Sequence, residues 1–127
     1  MTQRPIIAVL CGSTSQREDF DRLNELLTLE GKIVLAPGVW RFHGRSVFGP
    51  MESHTKCSLD QLHLAKIDMA DEVHIIPKAD GSLGSSTRAE YLHAIESEKM
   101  TVIHTTPSIT FNAGSGRASR PKEVRHG

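Results

Sequence analysis

Val73-His74-Ile75-Ile76-Pro77-Lys78-Ala79-Asp80-Gly81-Ser82-Leu83-Gly84-Ser85-Ser86-Thr87-Arg88-Ala89-Glu90 passes from an apolar run through a glycine-bearing turn into a helical pattern. An apolar run this short, closed by Pro77, reads as a strand buried on both faces, from Glu72 to Ile76. Gly81 and Gly84 permit a sharp turn and a close approach of backbone to a ligand. Ser85, Ser86 and Thr87 bring hydroxyls and unpaired amides to the place where the helix begins, a natural site for an anion. Glu90 lies one turn further on and faces the same mouth. A second reading of the same letters is a capping box, with Thr87 as N-cap and Glu90 reaching back to it.

The same grammar recurs on either side. Ile6-Ile7-Ala8-Val9-Leu10-Cys11 is another continuous apolar run, followed by the turn Gly12-Ser13-Thr14. Phe20, Leu23 and Leu27 then recur at helical spacing between Gln16 and Glu30, and Gly31 ends the helix. Ile33 to Pro37 gives a second strand. Leu59, Leu62, Ala65 and Met69 mark the inward stripe of a helix before the third strand. Ala89, Leu92 and Ile95 do so for the helix from Arg88 to Lys99, and Thr101 to His104 supplies a fourth strand. Alternation of this kind predicts an α/β, three-layer, Rossmann-like or flavodoxin-like domain. Its parallel sheet is expected to hold four or five strands in the order 2-1-3-4. Ligands of such sheets sit beyond the carboxyl ends of the strands, where the order reverses. The loops there are Gly12 to Thr14, residues 38–57 and residues 77–86, and they hold nearly all the chemically distinctive residues.

Residues 38–57 show no periodicity and read as one long loop, more often functional than decorative. Trp40, Phe42 and His43 within it are candidates to stack on a base; the alternative is that Trp40 and Phe42 plug the core or a subunit contact. After Thr106 the chain turns polar and basic, with Arg117, Arg120, Lys122 and Arg125. Residues 107–127 are expected to form a flexible tail outside a domain spanning 1–106.

Composition narrows the class. With 127 residues there is room for one core. Fifteen basic and fifteen acidic residues cancel, so no net field draws the chain to nucleic acid or a membrane surface. No run is long enough to span a bilayer, and Met1-Thr2-Gln3-Arg4 does not open a signal peptide. Cys11 and Cys57 read as free thiols in a reducing, cytoplasmic setting and lack zinc-ligand spacing. No metal and no cofactor are expected.

Three blocks carry a resemblance. Val9-Leu10-Cys11-Gly12-Ser13-Thr14, Lys66-Ile67-Asp68-Met69-Ala70-Asp71-Glu72-Val73 and Gly84-Ser85-Ser86-Thr87-Arg88-Ala89-Glu90 resemble the nucleoside 2-deoxyribosyltransferase-like superfamily over roughly residues 5–105. The likeness is to its small bacterial and phage members, and more distantly to the Lonely-Guy-type phosphoribohydrolases. Both groups cleave an N-glycosidic bond with a glutamate at the position matched by Glu90. The resemblance implies a retaining mechanism, an oxocarbenium-like transition state and a nucleoside or nucleotide substrate. It implies Glu90 as nucleophile. His63 and Asp68 are the further catalytic candidates: His63, with an ordinary pKa near neutrality, reads either as proton donor to the leaving base or as a half-exposed helix histidine, and Asp68 either as a site residue or as part of a solvated helix face. Gly12, Ser13, Thr14, Trp40, Phe42, His43, Gly84, Ser85, Ser86 and Thr87 would bind substrate. It also implies a homodimer or larger homo-oligomer, because related sites are closed by a neighbouring subunit.

The chain departs from the family pattern in two places. His63 stands near a helix position that often carries aspartate, and Gly84 stands where an aspartate often precedes the nucleophile by six residues. Loss of that carboxylate, with hydroxyls added at 85–87, points to a phosphorylated sugar. The resulting expectation is cleavage of a nucleoside 5'-monophosphate, with base exchange as a variant. The alternatives are a non-catalytic nucleotide-binding module and a binder or hydrolase of NAD-like signals.

Overall fold

The computed structural model describes residues 3–40 and 45–105. Six strands and three helices follow in chain order: β1 Ile7–Gly12, α1 Arg17–Leu29, β2 Ile33–Leu35, β3 Arg45–Ser46, β4 Gly49–Pro50, α2 Ser53–Met69, β5 Glu72–Ile76, α3 Ser85–Glu96 and β6 Met100–Ile103. Four strands form one parallel sheet in the order β2-β1-β5-β6, and β3 and β4 form a separate antiparallel pair. The order by number is therefore not the expected 2-1-3-4. The small hairpin inside residues 38–57, taken from the sequence as structureless, adds two strands between the second and the next strand of the main sheet. Strands of two residues carry no periodicity to read.

Side chains alternate across the sheet, and each face has its own core. Ala8 and Leu10 of β1 and Ile76 of β5 pack with Phe20, Leu23, Leu26 and Leu27 of α1. Val9, Cys11, Val73 and Ile75 meet Ile67 and Ala94, from α2 and α3, on the other face. Register holds the two central strands level: Ala8 pairs with Glu72 and Gly12 with Ile76. Gly12 is required there, since a Cβ at this position would lie 2.6 Å from the Ile76 carbonyl oxygen and force the strands apart.

The ends of the elements follow local rules. Gly31, at φ +87°, closes α1 in a Schellman motif: its N–H donates to Thr28 O and that of Lys32 to Leu27 O. Asp71 joins the starts of β1 and β5 by accepting from the Ile7 amide at 2.8 Å and from both Arg4 terminal nitrogens. Those bonds hold its carboxyl well below the usual carboxylate range.

Helix faces differ from the sequence reading. On α2 the buried residues are His63 and Ile67, whereas Leu62 and Met69 are exposed and Ala65 faces solvent. On α3 they are Thr87, Glu90 and Ala94, while Ala89 and Leu92 are exposed. Both inward faces carry polar residues, so the apolar periodicity pointed about one residue off.

Candidate active site

The turn after β1, the start of the loop after β2, α2 and the start of α3 surround a cleft of about 470 Å³ beyond the strand ends. This is the switch point, where the chain leaves β1 toward β2 on one side and β5 lies on the other. Gly12, Ser13, Thr14, Gly84, Ser85, Ser86, Thr87, His63 and Glu90 all line it. The structure thus gathers nine of the residues singled out from the sequence.

Trp40 and Asp68 fall elsewhere. Trp40 is half-buried against the α1 core, edge-on to Phe20 at 4.9 Å between ring centroids and with the Arg17 guanidinium 5.0 Å from its ring. It plugs the core and does not line the cleft. Asp68 is exposed and its carboxylate accepts from His93 Nε2 of α3 at 2.7 Å. Five residues of α-helix turn it about 140° away from His63, so it lies outside the cleft. Phe42 and His43 lie outside the described residues.

The loop from Pro77 to Gly84 is built to deliver the helix start. Gly81, at φ +86°, turns the chain, and the Lys78 and Ser82 backbones bond across the turn. Asp80 Oδ1 accepts from both the amide and hydroxyl of Ser82, which holds its carboxyl below the ordinary value. Helix α3 then begins at Ser85 with Gly84 as N-cap, and no side chain caps that end. Thr87 is therefore in the first turn and is not the N-cap, so the capping-box alternative does not describe Glu90. The first-turn amides of Ser85, Ser86 and Thr87 face a cleft also lined by Lys56, Lys66 and Lys78. Neither these lysines nor Asp60 of α2 is among the candidate residues named from the sequence, because isolated charges on polar stretches look like solvated surface. Lys66 Nζ donates to Ala36 O at 2.7 Å, and Lys56 pairs with Asp60 at 3.1 Å.

Glu90 is nearly buried in the cleft wall, 9 % exposed. Burial, reinforced by the nearby Asp60 charge, pushes its carboxyl up to about 7, against smaller opposing effects of Cys11 and Lys56. Near neutral pH it is poised between its two forms. Beneath it lie Cys11 and His63. His63 Nε2 is 3.0 Å from the Leu10 carbonyl oxygen and 3.5 Å from Cys11 Sγ. A carbonyl only accepts, so Nε2 carries the proton. Burial and the Lys66 charge lower the imidazole pKa, leaving a neutral ring with Nε2–H. Cys11, His63 and Glu90 each offer a ligand atom, all within 4.8 Å of one another. Of the three, His63 Nε2 has its hydrogen committed to Leu10, and burial pushes the Cys11 thiol well up.

No protein-family model and no curated protein matches the chain. Among solved structures it is similar to the Clostridium botulinum CMP N-glycosidase BcmB, with a TM-score of 0.52 and 16 % identity over 76 % of this chain and 69 % of that one. At that identity the likeness establishes a shared α/β fold. Among the described residues, no helix is long and apolar enough to cross a membrane.

Proposed function

We propose that this chain hydrolyses the N-glycosidic bond of a nucleoside 5'-monophosphate, with Glu90 as nucleophile. The observation that carries the proposal is Glu90 itself, a nearly buried carboxyl in the wall of a nucleotide-sized cleft, one turn from an uncapped helix start. In this reading the substrate phosphate sits on the amides and hydroxyls of Ser85, Ser86 and Thr87, with Lys78 alongside. The Glu90 carboxylate bonds to the anomeric carbon as the carbon–nitrogen bond breaks, and the base leaves with the bonding electrons and takes a proton. Water then attacks the same carbon and releases sugar phosphate and the carboxylate, and the proton it loses to solvent balances the one the base took up from solvent. Positive charge growing on the sugar favours the ionised form of Glu90 over the half-protonated resting state. Donation from His63 to the leaving base would need an imidazolium, which burial and Lys66 both oppose, so we assign it to holding the floor of the site. Asp68, outside the cleft, takes no part.

The raised carboxyl favours one second reading, in which Glu90 is the proton donor and Asp60 the nucleophile. The two differ in the sign of one limb. With Glu90 as nucleophile, kcat/KM rises with pH through about 7 and then levels. With Glu90 as acid, it falls above that pH.

The fold shared with a CMP N-glycosidase makes cytidine monophosphate the first substrate to try. Wild-type protein and Glu90→Gln are incubated with the nucleosides and their 5'-monophosphates, and free base is separated by chromatography. Base release from a monophosphate, abolished in Glu90→Gln, is the expected result. Tight nucleotide binding with no release by either protein would make this a binding module.

A further inference from the structure

The floor of the cleft has a direction written into it. Cys11 ends β1 with its side chain turned to the α2–α3 face and no exposure to solvent. Because His63 Nε2–H is committed to the Leu10 carbonyl, Nε2 has no lone pair to offer a thiol proton. At 3.5 Å it can only share its hydrogen with the sulfur. Glu90 has a carboxylate oxygen within 4.8 Å of that sulfur, an acceptor for the Cys11 proton that His63 cannot take. Donation from imidazole to sulfur and from sulfur to carboxylate is the direction this order permits.

We propose that Cys11 is a positioning residue for Glu90: its thiol, with the sulfur fixed by His63, donates to one carboxylate oxygen and leaves the other for the anomeric carbon of the sugar. This rests on the reading of Glu90 as the nucleophile. A buried thiol suits the task. It is small enough for the strand–helix interface, burial keeps it protonated, and its bond is weak enough not to blunt the carboxylate. The groups facing Glu90 from the packed elements are Asp60 and Lys56 of α2, which act on its ionisation in opposite senses, His63 of α2 and Cys11 of β1. His63 has its Nε2–H on the Leu10 carbonyl, which leaves the Cys11 thiol as the neutral donor beside the carboxyl.

The test reads the carboxyl directly. Protein labelled with 13C at the glutamate side-chain carboxyl is titrated by NMR, and the Glu90 signal is assigned by its loss in Glu90→Gln. Cys11→Ala and Cys11→Val both lack the donor, and the valine keeps the volume filled should the alanine variant fail to fold. Both are expected to raise the Glu90 midpoint by roughly half to one pH unit, the scale of one ordinary net hydrogen bond, as suits a weak thiol donor. Cys11→Ser restores a donor and is expected to return the midpoint to the wild-type value. The ascending limb of kcat/KM should move with the midpoint while KM for the nucleotide holds. Equal midpoints in folded wild-type, alanine and valine proteins would overturn the role of Cys11. Base release that survives Glu90→Gln would refute the nucleophile reading and leave the titration result standing.

Discussion

Ser86 shows what a single residue is expected to do here. Its amide is in the first turn of α3, where an intrahelical partner is lacking by geometry, and the residue lines the cleft. If that end binds a phosphate, Ser86→Ala removes one hydroxyl from a charged ligand and costs roughly 1.5–3 kcal/mol in binding or transition-state energy. The loss should appear in kcat/KM with monophosphates and be nearly absent with nucleosides. Equal losses on both would mean the loop shapes the sugar pocket and reads no phosphate. At this scale much was legible in the sequence. A strand, two glycines and three hydroxyl residues before a helix placed Ser85, Ser86, Thr87 and Glu90 around one mouth. Cys11 was not legible as part of it, because nothing in Val9-Leu10-Cys11 says that His63, more than fifty residues later, will bring its ring to the thiol.

Among the elements, β5 carries a polar chain that the site does not use. His104 Nε2 and His74 Nδ1 share a hydrogen bond at 3.0 Å, and Glu72 Oε1 accepts from His74 Nε2 at 2.9 Å and from Lys32 at 2.7 Å. The bonds from His74 and Lys32 outweigh burial and hold the Glu72 carboxyl down to about 2, whereas burial and the neighbouring His74 push His104 down to about 3. Both folded values lie below the unfolded ones of 4.5 and 6.5, so in acid the unfolded chain binds more protons. Stability is therefore full above about pH 6.5. It is lost first through His104 as pH falls below that value, and then through Glu72 below about 4.5. His63, lowered in the same sense, adds to the first part. Urea midpoints measured from pH 7 to pH 4 should fall, and His104→Gln should make the upper part of that fall shallower. Parallel curves for the two proteins would show that His104 takes up its proton as readily folded as unfolded. The strands and the alternation of elements were readable from apolar runs. The helix faces were not, because buried His63, Thr87 and Glu90 occupy positions that a hydrophobic stripe assigns to leucine or alanine.

At the scale of the whole molecule, apolar surface is left exposed among the described residues. Leu62 and Met69 of α2 and Leu92 of α3 are each half exposed or more, and Val47 and Phe48 at the hairpin tip are almost wholly so. Single exposed leucines need no explanation, but several on two neighbouring helices are more than an isolated chain usually leaves. We propose that a second copy of the chain covers α2 and α3, with Leu62 tying that contact to the cleft it also lines. Light scattering at micromolar concentration should then give at least a dimer, and Leu62→Asp with Leu92→Asp should dissociate it and lower activity. A fully active wild-type monomer would contradict the proposal. The hairpin was hidden in the sequence by its two-residue strands, and the expected tail at 107–127 lies outside the described residues.

The central claim is a covalent bond between Glu90 and the sugar, and it can be weighed. A nucleoside 5'-monophosphate carrying fluorine at the 2' position slows both steps by destabilising the oxocarbenium-like transition states. With a good leaving base it allows the glycosyl-enzyme to accumulate. Trypsin would release Glu90 in the peptide of residues 89–99, between Arg88 and Lys99. The account predicts that this peptide gains the mass of the fluorinated sugar phosphate, that fragmentation places it on Glu90, and that Glu90→Gln shows no gain. Base released from the natural substrate, with no such adduct at any time point and the gain found instead on Asp60, would contradict it.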